Sequence, residues 1–212
     1  MEEGETVLVE HRGQRPQVDP TAWIAPNAVI SGNVIIGPRV RILYGAVLTA
    51  EGRLPLTVGQ NSVIMEQAVL RAAGRWPLEL GDFILVGPHA YLSGCSVGAG
   101  SFIATGAMVF NGAHLGTSCV VALGGKVHIE TDLPDNTFVP MGFIAIGRPG
   151  RIYAPGEAPT VHEELNRIGF MRHVFGVDPA GRPRIAVMTE AMTRYGRALD
   201  AHRDDRILAD GP

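Results

Sequence analysis

The chain is poor in several things, and each shortage narrows what it can be. Two cysteines in 212 residues do not make a disulfide scaffold. Cys95 and Cys119 both fall inside regular repeats, which fits a reducing compartment and leads us to expect a cytoplasmic protein. Neither sign of charge dominates. With 18 Lys and Arg against 21 Asp and Glu, the net charge is −3 and no basic stripe appears, so nucleic acid is not an expected partner. No apolar run approaches a membrane span, so no membrane partner is expected either. The opening MEEGETVLVEHRGQRP is acidic and polar and does not read as a signal peptide. Residues 24 to 130 also lack the apolar spacing of three and four that an amphipathic helix requires.

What replaces that spacing is a six-residue beat. Aliphatic side chains recur at Ile24, Ile30, Ile36, Ile42 and Leu48, then at Val58, Ile64 and Leu70, then at Leu80, Val86 and Leu92. They continue at Val97, Ile103, Val109, Leu115, Val121 and Val127. Four positions later there is usually a small or β-branched residue, as at Ala28, Val40, Ala46, Ser62, Ala68, Ala90, Ser101, Ala107 and Ala113. Each hexad reads as a short strand and a corner, and three hexads close a triangular turn. The turns stack at roughly 4.8 Å to make a parallel β-helix of about six turns. Stacking is required because one repeat cannot bury its own apolar face. A β-sandwich would instead put turn signals every eight to twelve residues or so, which fits poorly.

The beat breaks three times. Ten residues separate Leu48 from Val58, with Glu51, Gly52, Arg53 and Pro55 extruded. Ten also separate Leu70 from Leu80, with Ala73-Gly74-Arg75-Trp76-Pro77 extruded, and only five separate Leu92 from Val97. Interruptions of a packed repeat are where function is carried. Trp76 on such a loop either caps a corner or lines a site. We therefore read an N-terminal strand or extension over residues 1–16, a β-helix over 17–150 and a helical extension over 151–212. After Val127 we expect an irregular exit strand, then one helix from Thr160 to about Val174 and a second from about Ala186 to His202. Met188, Met192, Tyr195 and Leu199 share one face of the second, a packing surface against the prism or a neighbouring subunit.

The hexads, the extruded loop and the five-residue step resemble the γ-class carbonic anhydrases, within the left-handed β-helix superfamily of hexapeptide acyltransferases. The similarity covers roughly residues 17–150 and is best in Ile84-Leu85-Val86-Gly87-Pro88-His89-Ala90-Tyr91-Leu92-Ser93-Gly94-Cys95-Ser96-Val97-Gly98. Weaker matches are Val47-Leu48-Thr49-Ala50-Glu51 and Ile64-Met65-Glu66-Gln67-Ala68-Val69-Leu70-Arg71. The resemblance implies a left-handed coil, a homotrimer and a site between subunits. It also implies zinc held by three histidines, two from one subunit and one from its neighbour. Those positions here are Arg71, Pro88 and Ser93. An obligate cation, an imino acid and a hydroxyl are not a zinc site, so no metal or other cofactor is expected.

Counting hexads puts Thr49, Arg71 and Ser93 in one outward column. Arg71 there keeps positive charge in the cleft and suits a carboxylate or phosphate, with Ser93, Thr49, Glu51 and Trp76 as further substrate-binding candidates. His89 is either a general base or a solvated corner histidine, and Glu66 is its candidate partner. Tyr91 is a hydrogen-bond donor, Cys95 is structural, and His114 and His128 are not read as ligands. The expected function is zinc-independent acid–base chemistry, an isomerase, dehydratase or cyclase type, on a small anionic or carbonyl substrate. The alternatives are an acyltransferase using acyl-coenzyme A, a non-catalytic trimeric scaffold or binding module, and an active zinc-bearing carbonic anhydrase.

Overall fold

A computed structural model describes residues 7–208. The hexads form a mainly β, left-handed parallel solenoid followed by C-terminal helices. Its three faces differ in height. One carries eight parallel strands: Val7–Glu10, Val29–Gly32, Val47–Ala50, Val69–Ala72, Tyr91–Ser93, Met108–Val109, Lys126–Val127 and Ile144–Ile146. The other two carry seven each. Antiparallel strands close the first face at both ends, Arg206–Ile207 beside Val7–Glu10 and Arg151–Tyr153 beside Ile144–Ile146.

The beat is the packing. Ile30, Leu48, Leu70 and Leu92 stand in register on successive strands and are fully buried, as are Ile42, Ile64, Val86 and Ile103 on a second face. Each apolar residue covers its counterpart a turn below, so the core is one continuous column. The small residues line the corners, where a larger side chain has no room. Two of them are serines, and both are satisfied. Ser62 Oγ donates to the Gly81 carbonyl at 3.3 Å and accepts from Ile84 N–H at 3.0 Å. Ser101 Oγ donates to the Gly98 carbonyl at 2.7 Å and accepts from Cys119 N–H at 3.0 Å.

The coil has about eight turns, against the six that the beat alone suggested. Leu8 is a core residue, and its strand, within the residues 1–16 read as an N-terminal strand or extension, lies parallel to Val29–Gly32 as a further strand of the coil. Past Val127 there is no irregular exit. Leu133, Val139 and Ala145 hold the buried positions of three further strands. The prolines that obscured this rhythm, Pro134 and Pro140, follow those strands in the connecting turns, where a missing N–H costs the ladder nothing.

The C-terminal segment begins with α1, Ala158–Ile168, and α2, Phe170–Phe175. These replace the single expected helix because Gly169 adopts a left-handed φ of 71° and closes α1 through its N–H to the Leu165 carbonyl at 3.1 Å. A longer helix, α3, spans Arg184–Leu199, and a 3₁₀ turn follows at Asp200–Asp204. Its inner face is Val187 and Ala191, with Tyr195 and Leu199 half-buried, while Met188 and Met192 point outward. No described helix is long and apolar enough to cross a membrane.

Candidate functional site

Strand register aligns Thr49 with Arg71 and Arg71 with Ser93 on the eight-stranded face. The two extruded loops stand beside this column. The second folds back as a tight hairpin, with Ala73 and Trp76 exchanging backbone hydrogen bonds of 3.1 Å each way. That fold lays the Trp76 side chain over Gly94, at the five-residue step. Gly94 has a left-handed φ of 51°, and a Cβ there would sit 2.5 Å from the Trp76 Cβ. The loop and the short step are thus two halves of one contact.

α2 and α3 roof the same face and leave a cavity of about 530 Å³. Its floor is Arg71, Tyr91, Ser93, Phe110 and Asn111, Trp76 and Gly74 form one side, and Phe170, Val174, Phe175, Tyr195 and Leu199 form the roof. Rings dominate: Tyr91 packs against Phe110 and Phe175 against Tyr195, each pair with centroids 6.0 Å apart. Arg12, Glu51 and His202 complete the rim.

Arg71 is the polar centre. Its guanidinium donates to the Glu51 carboxylate, to Tyr195 Oη at 3.1 Å and to Tyr91 Oη at 3.4 Å. Burial alone would lower its pKa, but the bonds to Glu51 and Tyr195 and the Glu51 charge outweigh that and raise it. Arg71 is a permanent cation whose charge is already met by Glu51. Ser93 is buried beside it, and Thr49 lies one turn below, outside the cavity wall.

The structure therefore brings Arg71, Glu51, Tyr91, Ser93 and Trp76 around one space. Glu66 and His89 are not there. They sit on a corner, where His89 N–H donates to the Glu66 carbonyl at 3.1 Å and the His89 side chain is exposed with φ 57°. Cys95 is buried in the core, which pushes its thiol up to about 12 and leaves it no thiolate chemistry.

Sequence reasoning missed Phe110, Phe175, Tyr195 and His202. Phe110 was readable, because it follows Val109 as Ser93 follows Leu92 and so belongs to the same column. The residues of α2 and α3 carry no such index. Their place depends on how the extension folds back.

A histidine pair flanks the roof. His173 of α2 stacks on Trp76 at 5.0 Å, and its Nε2 lies 3.2 Å from Glu130 Oε1, off the line of a hydrogen bond. His128, packed near Phe110 at 6.2 Å, has a buried Nδ1 with no hydrogen-bond partner among the described residues. Burial lowers the pKa of both rings. Repulsion from His173 adds to the effect at His128. At His173, Arg75 and Arg148 add to it and Glu130 opposes it.

At the three positions where the carbonic anhydrase resemblance implies zinc ligands, Arg71 is bound to Glu51, Ser93 is a buried hydroxyl and Pro88 has no side-chain donor. This donor set does not fit zinc.

Residues 15–50 match the bacterial transferase hexapeptide (six repeats) family model. The chain is 32% identical to the mitochondrial γ carbonic anhydrase 1 of Arabidopsis thaliana over 142 residues, covering 64% of this chain and 49% of that protein. It is also 32% identical to the carnitine operon protein CaiE of Escherichia coli (strain K12) over 111 residues, covering 52% of this chain and 56% of that one. The chain thus spans about half the length of these relatives. Among solved structures, a hexapeptide transferase family protein from Anaplasma phagocytophilum covers 96% of this chain and 99% of its own, with 23% identity and a TM-score of 0.47. The chain is thus a left-handed β-helix of stacked six-residue repeats, similar over part of its length to the γ carbonic anhydrase and CaiE and matching the transferase hexapeptide model over residues 15–50.

Proposed function

We propose that the cavity over Arg71 binds a small organic carbonyl compound and performs acid–base chemistry on it, with no metal in the Thr49–Arg71–Ser93 column. The observation that carries this reading is a half-buried, permanently charged guanidinium set in an aromatic cavity with two tyrosine hydroxyls on it. The volume of about 530 Å³ is that of a small-ligand site. Because Glu51 already neutralises Arg71, a second carboxylate gains little there. A neutral carbonyl oxygen, accepting from Arg71 or a tyrosine, gains a charge-assisted hydrogen bond without displacing Glu51. Glu51 is the carboxylate placed to take or return a proton. His89 and Glu66 enter this chemistry only if a neighbouring copy presents its corner to the cavity.

The protein is proposed to be a homotrimer. Outward positions on one seven-stranded face align Trp23, Arg41, Val63, Leu85, Phe102, Val120 and Phe138, an almost wholly apolar stripe that another copy of the coil would cover.

Thermal shift with acetophenone, benzoate and acetyl-coenzyme A, on the native protein and on Arg71→Met, tests the reading. Acetophenone should stabilise the native protein more than benzoate does, and Arg71→Met should abolish the difference. Stabilisation by acetyl-coenzyme A alone would instead support an acyltransferase.

A further inference from the structure

Two histidines and an aspartate from opposite ends of the described chain meet at the rim of the cavity. His11 follows the first strand, Val7–Glu10, while His202 and Asp205 lie in and just after the 3₁₀ turn. Pairing of Val9 with Ile207 and Glu10 with Arg206 fixes the two segments side by side. His11 Nδ1 is 2.5 Å from Asp205 Oδ1, and His202 Nδ1 is 2.9 Å from Oδ2. The two rings stack with centroids 4.3 Å apart and planes 26° apart. Each ring therefore turns the same nitrogen toward one carboxylate.

We propose that this cluster is a site for a zinc-class divalent ion, held by His11 Nδ1, His202 Nδ1 and the Asp205 carboxylate, which clamps the C-terminal tail onto the coil. Among the described residues, these are the three metal-capable side chains whose donor atoms all lie within 4.8 Å of one another. Tetrahedral zinc spaces its donors at about 3.3 Å, so an ion would push the aspartate back and turn the stacked rings apart until both Nδ1 lone pairs face it. Two imidazoles and a carboxylate are a sufficient protein set for such an ion and leave one coordination position open. His11 is buried, and its other nitrogen, Nε2, lies 3.3 Å from the Glu51 carbonyl. With Nδ1 on the ion, Nε2–H would donate to that carbonyl, the arrangement that orients metal-bound histidines. Without an ion, Arg12 Nε donates to His11 Nε2 at 3.3 Å while its Nη2 donates to the Ala198 carbonyl at 3.1 Å, near the C-terminal end of α3, so metal binding would exchange the first of these bonds for Nε2–H on the Glu51 carbonyl. This site involves none of the positions where the carbonic anhydrase resemblance implies zinc ligands, and it does not rest on what the cavity binds.

The test uses the full chain, stripped with chelator and titrated with zinc chloride by calorimetry. One zinc ion per chain is expected, and hydrogen exchange of residues 200–207 should slow on binding. His202→Ala and Asp205→Asn, both at partly exposed positions, should each weaken binding at least about tenfold while leaving the far-ultraviolet circular dichroism unchanged. Arg71→Met and His114→Ala should bind zinc as the native chain does, which keeps this outcome separate from the fate of the cavity reading. Absence of saturable binding, or binding that persists in the His202→Ala/Asp205→Asn double variant, would overturn the proposal and leave the cluster as a hydrogen-bonded clasp.

Discussion

Arg71 shows what a single residue in a repeat can and cannot reveal by position. Its place in the outward column beside Thr49 and Ser93 follows from counting hexads, and strand pairing puts it there. Its partners do not follow from counting. Glu51 comes from a loop and Tyr195 from the extension, 124 positions away. Replacing Arg71 by methionine leaves Glu51 in the wall without a counter-charge, and a loss of about 1–3 kcal/mol is expected in urea unfolding. The double variant Arg71→Met/Glu51→Gln should recover part of it, because neither charge is then stranded. Gly94 is a second residue with one role. Gly94→Ala combines a left-handed φ with a methyl driven into Trp76, and a destabilisation of about 1–3 kcal/mol is expected. Its denaturation midpoint should fall, whereas Gly106→Ala, with open space around its Cβ and a similar φ of 65°, should lose less.

At the level of elements, strands were legible where the beat was clean and obscured where turn residues interrupted it. The strands around Leu133 and Val139 keep the period, but prolines and polar corner residues beside them imitate an irregular exit. Helix α2 was read as the end of a longer helix because Gly169 is a small interruption in an otherwise helical pattern, and only its left-handed φ divides the two. That division lets α2 turn His173 onto Trp76 and Glu130. His128 and His173 both have lowered pKa values, so the unfolded chain binds protons that the folded chain refuses. Their contribution is complete above the ordinary histidine value of about 6.5 and declines as pH falls below it. The thermal midpoint should therefore drop between pH 7 and 5. The drop should be smaller in His128→Asn/His173→Gln, and an equal slope in that variant would mean that other groups set it.

For the whole molecule, the β-helix was legible because a period of six constrains every turn alike. The site was legible only on its β-helix side. The column needs no tertiary information, but its roof is built by α2 and α3, whose docking on the eight-stranded face no local pattern specifies. The apolar stripe from Trp23 to Phe138 is expected to be covered in solution. Light scattering should give a mass three times 22.6 kDa, and Phe102→Asp/Phe138→Asp should shift it downward with the coil still folded. A native monomer would remove His89 and Glu66 from any role in the cavity. The central claim, that the aromatic cavity over Arg71 is where this chain meets a small carbonyl compound, is tested most directly by soaking crystals with a fragment set of aromatic ketones, aldehydes and carboxylates. Carbonyl fragments are expected between Tyr91, Phe175 and Tyr195, with the oxygen on Arg71 or a tyrosine hydroxyl. Fragments that gather elsewhere while this cavity stays empty would contradict it.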